Sequence, residues 1–202
     1  MDNQLTLGRH SSNGYYEPER IKMVISKLAT RTLLSNFYHR FVEQMQLDGG
    51  ERVLELGPGD GALARHIAPI LEGNGGKLTC VDVSGQWLDA TRHTLRKHDN
   101  VEYLRGEVDR LKLEPGSFDA VALHFVLHDV YPGRRLAILQ ALSGLLKPGG
   151  RIFLREPTNN SRGIKATEVR RLMHDSGFEV VRSEAFKQFA VGPIFSATYS
   201  KH

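Results

Sequence analysis

Three glycines at alternate positions, Gly57, Gly59 and Gly61, stand in "RVLELGPGDGALARHI" between an apolar run and a helical pattern. Glycine allows a sharp turn there and lets backbone N–H groups approach a ligand with no Cβ in the way. A turn of this kind, after a strand and opening a helix, holds a phosphate, a dinucleotide or another adenosine ligand. No Gly-Lys-Ser/Thr follows, which disfavours a phosphate loop and nucleoside triphosphate hydrolysis. Ala62 in the third small position fits the looser dinucleotide pattern. Asp82, about twenty residues on, closes the next strand and is placed to accept hydrogen bonds from ribose hydroxyls. Turn and acid together leave nicotinamide cofactors and other adenosine ligands open.

Glu55 narrows the choice. It lies two residues before Gly57, at a strand end aimed at the crevice. A second carboxylate there would repel a pyrophosphate in a partly desolvated site, and it favours a ligand with an ammonium or sulfonium. Glu107 follows the third strand in "RGEVD" and is placed to accept from the exocyclic amine of an adenine. Trp87, one turn into the second helix of the repeating pattern, is placed to stack on that ring.

The elements that must position these residues follow from periodicity. The chain has 202 residues with 40% hydrophobic and 25% charged content, which suits one soluble globular domain. Residues 18–47 read as two helical segments, with Ile21, Val24, Ile25 and Leu28, then Phe37, Phe41, Val42 and Met45, at helical spacing. From "DGG" at 48–50 onward, apolar strands alternate with helices expected near 61–72, 85–98, 132–146 and 165–176, the last capped by Gly177. The strands are "RVLELG", "KLTCVDV", "VEYLRG", "FDAVALHF" and, after a "KPGG" turn, "RIFLRE"; "FEVVRSEAF" and "GPIFSATYS" end the chain as an antiparallel pair. Such alternation predicts a three-layer α/β, Rossmann-like domain with a mostly parallel sheet covered on both faces. Residues 1–48 are read as a helical, substrate-covering lid and residues 49–202 as the ligand-binding part.

Net charge is +4, and the surplus sits in residues 147–202, with ten Lys/Arg against five Asp/Glu. That excess reads first as a solvated helix face, leaving contact with a membrane surface open. The single Cys80 rules out an intrachain disulfide framework and suits a reducing, cytoplasmic setting. No apolar stretch reaches the length of a membrane span, and "MDNQLTLGRHSSNGYYEPER" lacks the apolar core of a secretory signal. No metal ligand set is assigned.

"VLELGPGDG", "VDVS", "GEV", "SFDAVALHFVLHDV" and "LLKPGGRIFLREP" resemble, in order and spacing, the successive motifs of class I S-adenosylmethionine-dependent methyltransferases. The small-molecule, quinone or phospholipid branch is the most similar. The resemblance implies a seven-stranded sheet with its last strand antiparallel. It also implies that Glu55, Gly57, Gly59 and Gly61 surround the methionine part of S-adenosylmethionine and that Asp82 takes the ribose. Val83 and Trp87 would flank the adenine, Glu107 and the Val108 backbone would read its edge, and His124 would lie near the transferred methyl. Trp87 stands where the family often has methionine, and Glu107 where it more often has aspartate.

Methyl transfer from a sulfonium mainly requires alignment of the acceptor and exclusion of water, with a base only where the acceptor must lose a proton. The candidates for that base are His124, His128, Asp129, Tyr15, Tyr16 and Glu156, with His128 and Asp129 equally able to pair with Arg134 or Arg135. The chain lacks an Asn/Asp-Pro-Pro-aromatic element after the fourth strand, and Cys80 lies inside a strand, so neither amino methylation of a base nor cytosine C5 methylation is expected. No nucleic-acid partner is therefore assigned. The acceptor is expected to be a small hydrophobic or aromatic molecule under a lid bearing Tyr15, Tyr16, Phe37 and Tyr38. An NAD(P)-dependent oxidoreductase and a non-catalytic binding protein are the alternatives, and the oligomeric state, a homodimer included, stays open.

Overall fold

The computed structural model describes residues 34–159, 163–189 and 191–201, together with the backbone of residues 9–10 and 16–17. The latter two form a short ribbon, β1 (Arg9–His10) with β2 (Tyr16–Glu17). The helix expected at Ile21–Leu28 and the side chains of Tyr15 and Tyr16 lie outside the described residues.

The second N-terminal helix is α1 (Ser35–Met45). Its spacing puts Phe37, Tyr38, Phe41, Val42 and Met45 on one buried stripe. Alternation then follows: β3 (Arg52–Leu56), α2 (Ala64–Glu72), β4 (Lys77–Asp82), α3 (Gly85–Thr94), β5 (Val101–Arg105), β6 (Phe118–His124), α4 (Pro132–Leu145) and β7 (Leu146–Pro157). The chain closes with α5 (Ala166–Asp175), β8 (Phe178–Gln188) and β9 (Gly192–Lys201). Seven strands form one sheet in the order β5-β4-β3-β6-β7-β9-β8. The first five run parallel, and β9 is antiparallel to both β7 and β8.

Strand periodicity sorts the core into two layers. Val53, Leu78, Cys80, Ala120, Ala122 and Phe153 pack under α1, α2 and α3. Leu54, Val81, Val121, Leu123, Ile152 and Leu154 pack under α4 and α5. Glu55, Asp82, His124 and Arg155 fall on the parity of the first set, so they lie at or near the carboxyl ends of their strands on the face that carries α1.

Three boundaries differ most from the sequence reading, one being the helix expected near 85–98, which ends at Thr94. "KPGG" belongs to β7, which begins at Leu146 and is bulged opposite Phe118–Ala120. The first crossover helix starts at Ala64, because residues 58–63 are spent on the turn. Gly177 has φ +80° and its N–H meets the His174 carbonyl, the cap its position after α5 suggested.

Candidate active site

The glycine turn leaves β3 with φ of +67°, +57° and +80° at Gly57, Gly59 and Gly61, a left-handed backbone that a side chain would strain. A Cβ at Gly57 would also come within 2.8 Å of Val126 Cγ2, whereas one at Gly59 would meet nothing within 4 Å. The turn is latched from α3. Thr91 Oγ1 donates to the Gly59 carbonyl and Thr94 Oγ1 to the Asp60 carbonyl, each at 2.8 Å.

Three buried carboxylates surround this turn. Glu55, Asp60 and Asp82 are 2%, 5% and 8% exposed. Asp82 Oδ1 accepts from the Ser84 N–H at 2.9 Å, and Ser84 in turn caps α3 by accepting from the Trp87 N–H. Glu55 Oε2 is buried with no hydrogen-bond partner among the described residues. Burial, reinforced by the charges of Asp60 and Asp82, pushes the Glu55 carboxyl up to about 8. A carboxyl in that condition is suited to a cationic ligand group, which would restore its charge.

Val83 and Trp87 are half-buried just beyond β4, where the turn into α3 presents them at the rim. Val108 is buried after β5. Glu107 is engaged: its carboxylate pairs with Arg134 Nη2 at 2.6 Å and with Arg110 Nε at 3.2 Å, and Arg134 also holds Asp109. The expected partnership of Arg134 with His128 or Asp129 is therefore corrected, since α4 aims this guanidinium at the loop after β5. Arg135 instead pairs with Glu168 and donates to the carbonyls of Val130 and His128.

His124 closes β6 beneath α1. Its ring lies 4.6 Å from Tyr38, 4.2 Å from Phe125, and about 5.5 Å from Phe37 and Phe41 (5.5 and 5.4 Å between centroids). Burial, with the neighbouring Arg155 charge, holds the imidazole well below its usual range and so neutral. Its Nε2 has no partner among the described residues. Phe125 sits at φ +62°, a strained setting for an aromatic residue.

Glu156 explains how that strain is held. Fully buried, it accepts from the N–H groups of Val126 (2.9 Å), Leu127 (2.8 Å) and His128 (3.3 Å), and from His128 Nδ1 at 2.8 Å. Burial works against a charged His128, but the Glu156 hydrogen bond and charge outweigh it and raise the imidazole above its usual range. Asp129 lies 3.5 Å from His128 Nε2 with an 81% exposed side chain. Glu156, read from sequence as a candidate base, is thus spent on building the turn that carries His128.

Four contributors escaped the sequence reading: Asp60 within the turn, Thr91 and Thr94, one turn apart on the helix after it, and Arg155, the second arginine of "RIFLREP". The spacing of the threonines was visible, but which face of α3 meets the turn was not.

The seven-stranded sheet with this strand order, a glycine turn after β3 and acids closing the neighbouring strands forms a three-layer α/β fold with its candidate site at the carboxyl ends of the parallel strands. A family model described as "Methyltransferase domain" matches residues 53–150. The chain is 27% identical over 151 residues to a ubiquinone/menaquinone biosynthesis C-methyltransferase of Coxiella burnetii, covering 68% of this chain and 59% of that protein. It is 38% identical over 107 residues to a ubiquinone biosynthesis O-methyltransferase of Xanthomonas campestris pv. campestris, covering 52% and 42%. The chain thus spans about two-fifths to three-fifths of the length of these relatives. Its fold is similar to that of a SAM-dependent methyltransferase from Aquifex aeolicus, with a TM-score of 0.72 at 21% identity over 92% of this chain and all of that one. The chain is thus similar to S-adenosylmethionine-dependent methyltransferases in sequence over its central part and in fold over most of its length.

Proposed function

We propose that the protein transfers a methyl group from S-adenosylmethionine to a small hydrophobic or aromatic molecule. The observation that carries this reading is Glu55: a buried carboxyl whose Oε2 has no hydrogen-bond partner among the described residues, beside Asp60, Asp82 and a glycine turn, calls for a cationic ligand group, and a dinucleotide's pyrophosphate would be repelled there. In this reading Glu55 and the turn at Gly57, Gly59 and Gly61 hold the methionine end of the cofactor. Asp82 takes the ribose, Val83 and Trp87 flank the adenine, and Glu107 with the Val108 backbone meets its edge. S-adenosylmethionine supplies a methyl already activated on sulfur. The chain's remaining task is to place the acceptor and exclude water, which the aromatic cover of Phe37, Tyr38 and Phe41 suits.

The proposed proton acceptors are His124, whose unpartnered Nε2 belongs to a neutral ring, and His128 with Asp129 on the Glu156-held turn. Tyr15 remains in the proposed lid. The quinone-related relatives support a small-molecule acceptor, and the absence of a long apolar helix among the described residues supports a chain that does not cross the membrane through one. Calorimetric titration with S-adenosylmethionine, S-adenosylhomocysteine and NADH tests the reading. Saturable binding of the first two alone is expected. Binding of NADH with no response to either adenosyl compound would replace methyl transfer with hydride transfer.

A further inference from the structure

Phe125 is one of two non-glycine residues with a positive φ among the described residues. Its φ of +62° comes directly after β6, and an aromatic side chain in that region is strained. The hydrogen bonds on either side force it. The Phe125 N–H still donates to the Arg155 carbonyl at 2.8 Å, whereas the N–H groups of the next three residues are taken by Glu156. The chain must therefore turn at Phe125, and glycine would make that turn without strain. Packing alone is a weak reason for the ring that stands there instead. It is only half-buried, at the margin of the core layer beneath α1, and what such a ring returns to folding is of the order of what the strained backbone takes.

The position of the ring supplies a stronger reason. It lies against His124, 4.2 Å away between centroids, with Phe37 at 6.1 Å. The His128 ring stands nearly at right angles to it, at 78° and 6.4 Å, and is itself only partly covered, with a 15% exposed side chain. Two flat rings at a right angle make a floor and a wall, a corner that a flat molecule fills with its face on one and its edge toward the other. The corner stands at the carboxyl ends of the parallel strands. Val126, which follows Phe125, reaches Gly57 so closely that a Cβ there would meet its Cγ2 at 2.8 Å, so the corner adjoins the glycine turn.

Resting on the methyl-transfer reading above, we propose that Phe125 is the stacking surface for the methyl acceptor and that the acceptor is a planar aromatic molecule, laid on Phe125 with its edge toward His128. The ligand takes the part of the ring that the chain leaves exposed. The strained turn is kept because it holds an aromatic ring at the rim, where a substrate reaches it, rather than in the core. An aliphatic acceptor of the same size gains the buried area but not the stacking, so flatness is what the site selects.

The test uses the full chain saturated with S-adenosylhomocysteine and a pair of probes with the same carbon skeleton and hydroxyl: 2-naphthol, which is flat, and decahydro-2-naphthol, which is not. Calorimetry of the wild type is expected to show 2-naphthol binding about three- to tenfold tighter, the margin that aromatic stacking adds beyond buried area. Phe125→Leu removes the ring and is expected to bring the probes within about twofold of each other. Phe125→Gly, which also relieves the backbone, is expected to do the same and decides the matter where the leucine variant fails to fold. A wild type that binds the probes equally or binds neither, or a preference that survives in folded Phe125→Leu or Phe125→Gly, overturns the proposal. Failure of the wild type to bind S-adenosylhomocysteine at all overturns the methyltransferase reading instead.

Discussion

Replacing Glu55 with glutamine should remove the pH dependence that this one residue imposes on stability. In the folded chain the carboxyl is held up to about 8, against an ordinary value of 4.5. Between those two values the folded state keeps a proton that the unfolded state has released, so stability falls as pH rises through the window. Below 4.5 both states are protonated and Glu55 costs nothing. At about 1.4 kcal/mol per pH unit, its ionisation costs folding about 3 kcal/mol at pH 7 and approaches 5 above pH 8. Glutamine is neutral throughout and similar in shape. Urea unfolding followed by Trp87 fluorescence should therefore show Glu55→Gln matching the wild type near pH 4.5, exceeding it by about 3 kcal/mol at pH 7, and by more at pH 9. Cofactor binding supplies the second half of the experiment. A cationic ligand should draw the proton off Glu55, so titration in buffers of differing ionisation enthalpy at pH 7 should register proton release by the wild type and not by the variant. Parallel stability curves for the two proteins would refute the burial argument, and unchanged proton release in Glu55→Gln would refute the assignment of the ligand's cation to this site.

Asp82→Ala should weaken S-adenosylhomocysteine binding by about 10- to 100-fold with the melting temperature little changed, because it deletes charge-assisted hydrogen bonds at a strand end; equilibrium binding and calorimetric melting check both halves. Gly57→Ala should destabilise by about 1–3 kcal/mol in urea, since its φ of +67° and the 2.8 Å approach to Val126 Cγ2 each oppose a Cβ; adding Val126→Ala should recover only the contact part. Glu156→Gln should bring the His128 imidazole back toward its usual range in an NMR titration. The wild type should lose the His128–Glu156 contribution as pH rises through the raised imidazole value, and the variant should lack that step.

The alternation of apolar runs and helical patterns was enough to read the three-layer sheet, because strand and helix periods differ and burial on both faces demands continuous apolar runs. The glycine turn and its acids were legible for a similar local reason: Gly57, Glu55 and Asp82 sit at fixed offsets from strand ends. Boundaries were less so. Leu146 begins β7 because it pairs with Phe118, and "KPGG" is carried as a bulge, with Gly149 at φ +74°, before pairing resumes at Arg151. Glu107 shows the same limit, since nothing local marks Arg134 as its partner across 27 residues of chain.

By itself, the sequence determined which residues carry charge at the strand ends and what ligand chemistry they favour, since parity along a strand assigns each side chain to a face. Only the tertiary structure decided that α1 lays its aromatic stripe over His124 and Arg155, that Glu156 is consumed by the turn before His128, and that Glu55 Oε2 is buried with no hydrogen-bond partner among the described residues. Those outcomes depend on which groups from distant elements exclude water around a charge, and burial of a charge is a property of the packed chain.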